Sequence, residues 1–158
     1  MRVAYFALAV CLLSPALFAA ENPFLGTWVL NTAKSKFSPG PGPKNETVKF
    51  EQDGDKIRRT VSGTDGQGNP IMEGGPEGTS ILWDGKDHTV ANPSDPSMTV
   101  AVTRVNDYAN QVTVKQQGKV TETIHSVVSK DGKKMTDRMN GTNEKGQKIR
   151  VVEVLDKQ

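Results

Sequence analysis

The stretch QVTVKQQGKVTETIHSVVSKDGKKMTDRM, Gln111 to Met139, decides how this chain folds. Gln111–Lys115 and Val120–Val128 are short runs rich in β-branched residues, separated by KQQGKV, whose Gly118 marks a tight reversal. A second turn signal, SKDGKK, leads into a third run, Lys134–Met139. Apolar residues do not recur here at the i, i+3, i+4, i+7 spacing of a helix face. Tight connections between extended runs make consecutive strands antiparallel neighbours.

The same rhythm extends in both directions. QDGDK, TDGQGNP, WDGKDH, VNDYANQ and TNEKGQK recur at roughly ten-residue spacing. Between them lie Thr27–Leu30, Glu46–Glu51, Lys56–Ser62, Thr79–Trp83, His88–Val90, Met98–Val105 and Lys148–Leu155, all short and β-rich. About ten strands in a meander curl and close, because closure removes exposed edges. The expected fold is all-β, a single up-and-down antiparallel β-barrel. Three stretches interrupt the rhythm. The prolines and glycines of NTAKSKFSPGPGPKN exclude regular structure after Phe37, and GNPIMEGGPEG and ANPSDPS read as rim loops. The long first connection is either a lid anchored by Phe37 or a flexible loop at the rim.

Ahead of the strands stands MRVAYFALAVCLLSPALFAA, with one positive charge at Arg2, an apolar run from Val3 to Leu13 and small residues at Ala19 and Ala20. That order reads as a secretory signal peptide over residues 1–20, leaving a barrel domain over 21–158 and a periplasmic or secreted location. The apolar run is shorter than the roughly 20 residues of a spanning helix, so no membrane anchor is expected once the leader is removed. The sole cysteine, Cys11, lies inside the leader. The mature domain, about 140 residues, therefore has no disulfide and no thiol chemistry. Of 20 basic and 18 acidic residues only Arg2 leaves with the leader. So even a balance argues against a nucleic-acid partner, and the domain is expected to be a monomer.

Catalytic and metal signals are absent from the sequence. His88 and His125 are the only histidines, and neither sits in a ligand-spaced motif. No Gly-x-Ser-x-Gly elbow occurs, and the glycines of GQGNPIMEGG do not join a strand to a helix. No catalytic residue, metal site or cofactor is assigned. The informative irregularity is in the alternation. Ile57-Arg59-Val61, Val100-Val102-Arg104, Val120-Glu122-Ile124, Met135-Asp137-Met139 and Val151-Glu153-Leu155 each place a charge in an otherwise aliphatic row. Buried charges must be paired or hydrated. Either the interior is partly polar, with Arg59, Arg104, Glu122, Asp137 and Glu153 forming a nearly balanced binding site, or the rows fray toward solvent. In the first case Arg59, whose fork suits a carboxylate or phosphate, centres the site.

At the chain's first strand, Gly26 permits close backbone approach and Trp28 closes one end of the interior as a structural base. The string Phe24-x-Gly26-Thr27-Trp28-x-Leu30 resembles the opening of fatty-acid-binding proteins, and Gly-x-Trp on a first strand is similar to that of lipocalins. Both are calycin-type barrels. Asn22-Pro23-Phe24 through Trp28, Leu30-Asn31 and Lys34-Ser35-Lys36-Phe37 resemble uncharacterised exported bacterial lipocalin-like proteins. That resemblance continues through Asp84-Gly85-Lys86-Asp87, Ser129 to Lys133 and Gly141-Thr142-Asn143. It implies a barrel that binds a small hydrophobic or amphipathic ligand and is not an enzyme. Departures accompany it. The Pro-Gly stretch cannot form the two portal helices of fatty-acid-binding proteins. Arg150-x-Val152 lacks their Arg-x-Tyr clamp, and Val29-Leu30-Asn31 lacks the glycine-rich run of the haem-binding nitrobindins. The alternative function is an envelope protein-interaction or inhibitor module that uses rim loops around a filled barrel. A hydrolase or isomerase in the same barrel stands third.

Overall fold

The computed structural model describes residues 22–90, 96–143 and 145–158. The leader over residues 1–20 and Cys11 lie outside the described residues, as does most of the ANPSDPS segment. Among the described residues there is no helix. The strands are β1 (Gly26–Leu30), β2 (Lys36–Ser38), β3 (Asn45–Asp53), β4 (Lys56–Thr64), β5 (Pro70–Glu73), β6 (Thr79–Ile81), β7 (His88–Thr89), β8 (Thr99–Asn106), β9 (Ala109–Gln116), β10 (Lys119–Val128), β11 (Lys134–Thr142) and β12 (Lys148–Lys157). They form one antiparallel sheet in the order β5-β4-β3-β1-β12-β11-β10-β9-β8-β7, with β6 also on β4 and β2 also on β12. First and last strands thus meet in the middle of the sheet, which curls around a common interior. Between β6 and β7 the ladder is open, and Leu82–Asp87 bridges the gap.

Turn chemistry sets the register. In the β9–β10 hairpin, Gln117 and Gly118 both take positive φ, 50° and 76°, the pair of left-handed residues that matches the strands' right-handed twist. Each of the ten strands expected from turn spacing has a counterpart here. Two strands arise where loops were expected. β2 forms around Phe37 and pairs with Arg150–Val152 of β12, so the first connection is part of the wall, neither lid nor loose rim. β5 forms from Pro70 to Glu73 on the edge of β4, with proline at its first position, where a missing N–H costs least.

The line from β1 to β2 is one interrupted edge along β12. At the bend, the Asn31 N–H donates to the Val154 carbonyl at 2.8 Å, and the Ser35 hydroxyl accepts from the Val154 N–H at 3.0 Å. That hydroxyl itself donates to the Asn31 carbonyl at 2.9 Å. A side chain therefore completes the ladder where the backbone leaves it.

The buried core comprises Phe24, Trp28, Val48, Val61, Val128, Met135 and Leu155. Trp28 is fully buried, its indole N–H donates to the Phe24 carbonyl at 2.8 Å, and Lys157 Nζ lies 5.0 Å from its ring centroid. Gly26 has φ 121°, a conformation that favours glycine, and a Cβ there would stand 2.8 Å from Cε of the flexible Lys157 side chain. Trp83, from the segment bridging the gap, sets its ring edge-on to Phe24 and Phe50, at 5.4 and 6.0 Å between centroids.

Candidate functional site

Antiparallel register partners share a face, so pairing defines rows across the sheet's inner surface. The innermost is Val128–Met135–Leu155–Leu30, part of the buried base. Two residues along each strand comes a polar row, Asn110–Ser126–Asp137–Glu153, on β9 to β12. Two residues further stands an apolar band, Val102–Val112–Ile124–Met139–Val151–Phe37, running from β8 through β12 to β2. Val102 is buried and the other members are half-buried. Beyond it lies Glu122, opposite Val114 and Gly141.

The far wall contributes Glu46 from β3, Arg59 from β4 and Glu73 from β5. Arg59 donates to Glu73 at 2.7 Å. The Glu73 carboxylate adds to the effect of burial in raising Glu122 although their strands sit far apart in sheet order, so the two lie on facing walls of the curl. Yet the Arg59 and Glu73 side chains remain 43% and 61% exposed. The interior of the curl, its lumen, is thus open to solvent at Arg59 and Glu73.

Electrostatics of this lumen are acidic. Burial, with the neighbouring carboxyls of Glu46 and Asp137, pushes Glu153 up to about 8, against a partial offset from Arg59. Burial likewise pushes Asp137 up to about 6, with the Ser126 hydroxyl and Arg59 acting the other way. Glu46 and Glu122 are also raised, chiefly by burial. The nearly balanced set of two cations and three anions expected from sequence is therefore corrected. Five carboxyls (Glu46, Glu73, Glu122, Asp137 and Glu153) share the interior with one guanidinium; Glu73 pairs with it, and burial favours the protonated forms of the other four.

Arg104 is the second correction. Its Cα pairs with Asn110 at the end of the polar row, but the ladder shifts register between Arg104 and Asn106. At this strand end its side chain is 48% exposed and meets Asp107 at 3.5 Å, away from the other four. Arg59, Glu122, Asp137 and Glu153 do share the lumen, although the partner of Arg59 is Glu73. Two members escaped sequence reading. Glu46 opens its strand in the row Glu46-Val48-Phe50, so no aliphatic precedes it to mark the pattern. Glu73 lay in a stretch read as loop, where Ile71-x-Glu73 was the available signal.

No three His, Cys, Asp or Glu side chains converge as metal ligands among the described residues. His88 bonds Asp84 at 2.7 Å on β7 and His125 is exposed on β10, so the histidines build no common site. A depression of about 350 Å³ opens where β2, β11 and β12 meet, bounded by Phe37, Met139 and Val151 of the apolar band together with Lys36, Arg138 and Arg150. Alternation sets those three basic residues on the opposite face from Asp137 and Glu153.

The architecture is thus an open, curled antiparallel sheet whose first and last strands pair, with polar side chains on its inner face above an aromatic base. Among solved structures, the zebrafish ileal bile acid-binding protein complexed with cholic acid superposes with a TM-score of 0.53 over 86% of this chain and 99% of its own, at 12% identity. That likeness is one of fold. No protein-family model matches the sequence, and no curated protein matches it.

Proposed function

We propose that this chain is an exported, monomeric calycin-type carrier that holds a small amphipathic molecule inside the curled sheet. The observation that carries this reading is the juxtaposition of a largely buried, ionisable row with a half-buried apolar band on one inner face. A structural core has no use for such a band beside unpaired polar groups, whereas an amphipathic ligand covers both at once. The complex of a similarly folded protein with cholic acid agrees with this use of the fold. The order of charge, apolar run and small residues over 1–20 supports export. Native mass spectrometry of the protein purified from its own host tests the reading. A bound small molecule on a chain starting at Ala20 or Glu21 is expected, and a ligand-free protein still carrying Met1 would end it.

A second reading is favoured by one feature. Val105, Tyr108 and Val127 are 58%, 41% and 41% exposed around the β8–β9 turn, an apolar patch that an interaction or inhibitor module would use. Co-purification of a protein partner lost on Tyr108→Ser would support it over the carrier.

A further inference from the structure

Among the described residues, two buried side-chain atoms lack any hydrogen-bond partner, and both are acceptors: Asn110 Oδ1 and Asp137 Oδ1. Asn110 is 3% exposed. Both residues belong to the polar row, separated only by Ser126, so their Cα atoms lie about 10 Å apart across two strand spacings. A buried acceptor left unpaired is costly, and its presence in a lumen wall marks a position that a donor fills. We propose that the polar end of the ligand is an organic ammonium group, seated on the Asn110–Ser126–Asp137–Glu153 row with its hydrocarbon part along the Val112–Ile124–Met139–Val151 band. This deepens the carrier reading and rests on it.

Three further observations select a cationic donor over the alternatives. An anionic head group would meet a single cation, Arg59, whose charge is already offset by Glu73 at 2.7 Å. Lys36, Arg138 and Arg150 stand on the other face of the same strands, where they cannot meet it. An anion would also enter a lumen that already holds the carboxyls of Glu46, Glu122, Asp137 and Glu153. A metal ion needs acidic ligands converging on one point, and these do not. The three N–H donors of a primary ammonium sit on one nitrogen and suit acceptors a strand spacing apart, as Asp137 and Glu153 are. Its charge also meets the requirement that ionised carboxyls in such a place be paired.

The test uses three probes of equal chain length, decylamine, decanol and decanoate, titrated below their aggregation concentrations into the mature protein at pH 7.5. Binding is read by calorimetry and by chemical shifts of the Asp137 and Glu153 side-chain carboxyls. The amine is expected to bind at least tenfold tighter than the alcohol, with both carboxyl signals shifting, and the acid not to bind. Asp137→Asn should cut amine affinity at least tenfold and remove most of its lead over the alcohol. Glu153→Gln, which spares the contact between Asp137 and Ser126, should act in the same direction and covers the case in which Asp137→Asn does not fold. Decanoate binding as tightly as the amine, or decanol equalling it, overturns the ammonium assignment and leaves a carrier. Failure of all three probes to bind a folded protein overturns the carrier reading with it.

Discussion

Asp137 on β11 and Glu153 on β12 are directly opposed across the ladder, two carboxyls on one inner face with no cation between them. Side chains so placed are a strand spacing apart, about 5 Å. Ionising both here is unfavourable: burial raises Asp137 to about 6, and burial together with the carboxyls of Glu46 and Asp137 raises Glu153 to about 8.

Stability should therefore fall as pH rises from 5 to 9. The native state holds protons that the unfolded chain gives up near 3.8 and 4.5. Stability from the protonated carboxyls is complete below those unfolded values and is lost as pH passes through about 6 and then about 8. The exposed Asp53, Asp65, Asp84, Asp131 and Asp156 are lowered instead, so their contribution is lost only in stronger acid. Thermal melts should give a Tm about 5–10 °C higher at pH 5 than at pH 9. A flat profile over that range would mean that the two carboxyls are well hydrated.

Glu153→Gln keeps the shape and removes the charge. At pH 9 the variant should be more stable than the wild type by about 1–3 kcal/mol, while at pH 5 the two should melt together. Chemical denaturation at both pH values checks this, and equal destabilisation at each would show that Glu153 is needed as a carboxylate.

Arg59→Met should act in the opposite sense at the same pH. The pair with Glu73 is too exposed to contribute more than about 0–1 kcal/mol by itself. The guanidinium, however, also lowers Glu46, Asp137 and Glu153. Its loss should destabilise the protein at pH 9 and much less at pH 5. Side-chain carboxyl titration by NMR should show Asp137 and Glu153 moving further up.

These residues also show where sequence was sufficient. The ten strands were legible because Gly, Asp and Asn mark the reversals and β-branched runs lie between them. Asp137 and Glu153 were legible as charges within aliphatic rows, since strand alternation assigns a face without any tertiary information. Arg104 followed the same rule, but the register shift next to it is a local backbone event that period-2 reading does not register. β2 was obscured by the prolines that follow it and β5 by Pro70 at its start. Pairing with β12 and β4 holds them in place, across 114 residues for Phe37↔Val151 and across 6 to 12 residues from Thr64↔Pro70 to Val61↔Glu73. Charge balance was illegible because it depends on how many carboxyls the curl gathers, and Glu46 and Glu73 arrive from strands on the far wall.

Ser35→Ala should cost about 1 kcal/mol or slightly more. Its hydroxyl is the acceptor for the Val154 N–H at 3.0 Å, and nothing in the alanine variant replaces it. Hydrogen exchange should show the Val154 amide losing protection while the Leu155 amide, beside the intact β1 pairing, keeps it. Unchanged protection at Val154 would show that the β1–β2 edge closes without the side chain.

The base of the sheet should be the most sensitive part of the molecule. Trp28→Ala removes the largest fully buried side chain and the hydrogen bond to the Phe24 carbonyl, so a loss of about 3–5 kcal/mol is expected. Gly26→Ala tests the same place differently. It removes no contact, but it forces a side chain into φ 121° and sets a Cβ 2.8 Å from Lys157 Cε. The lysine stem can swing away, so crowding there is cheap, and the cost should come mainly from the backbone, about 1–3 kcal/mol. Adding Lys157→Ala to Gly26→Ala separates the two effects. If backbone conformation dominates, the double variant stays as unstable as the sum of the single ones. Recovery of stability in the double variant would mean that space, not φ, fixes glycine at the entrance to β1.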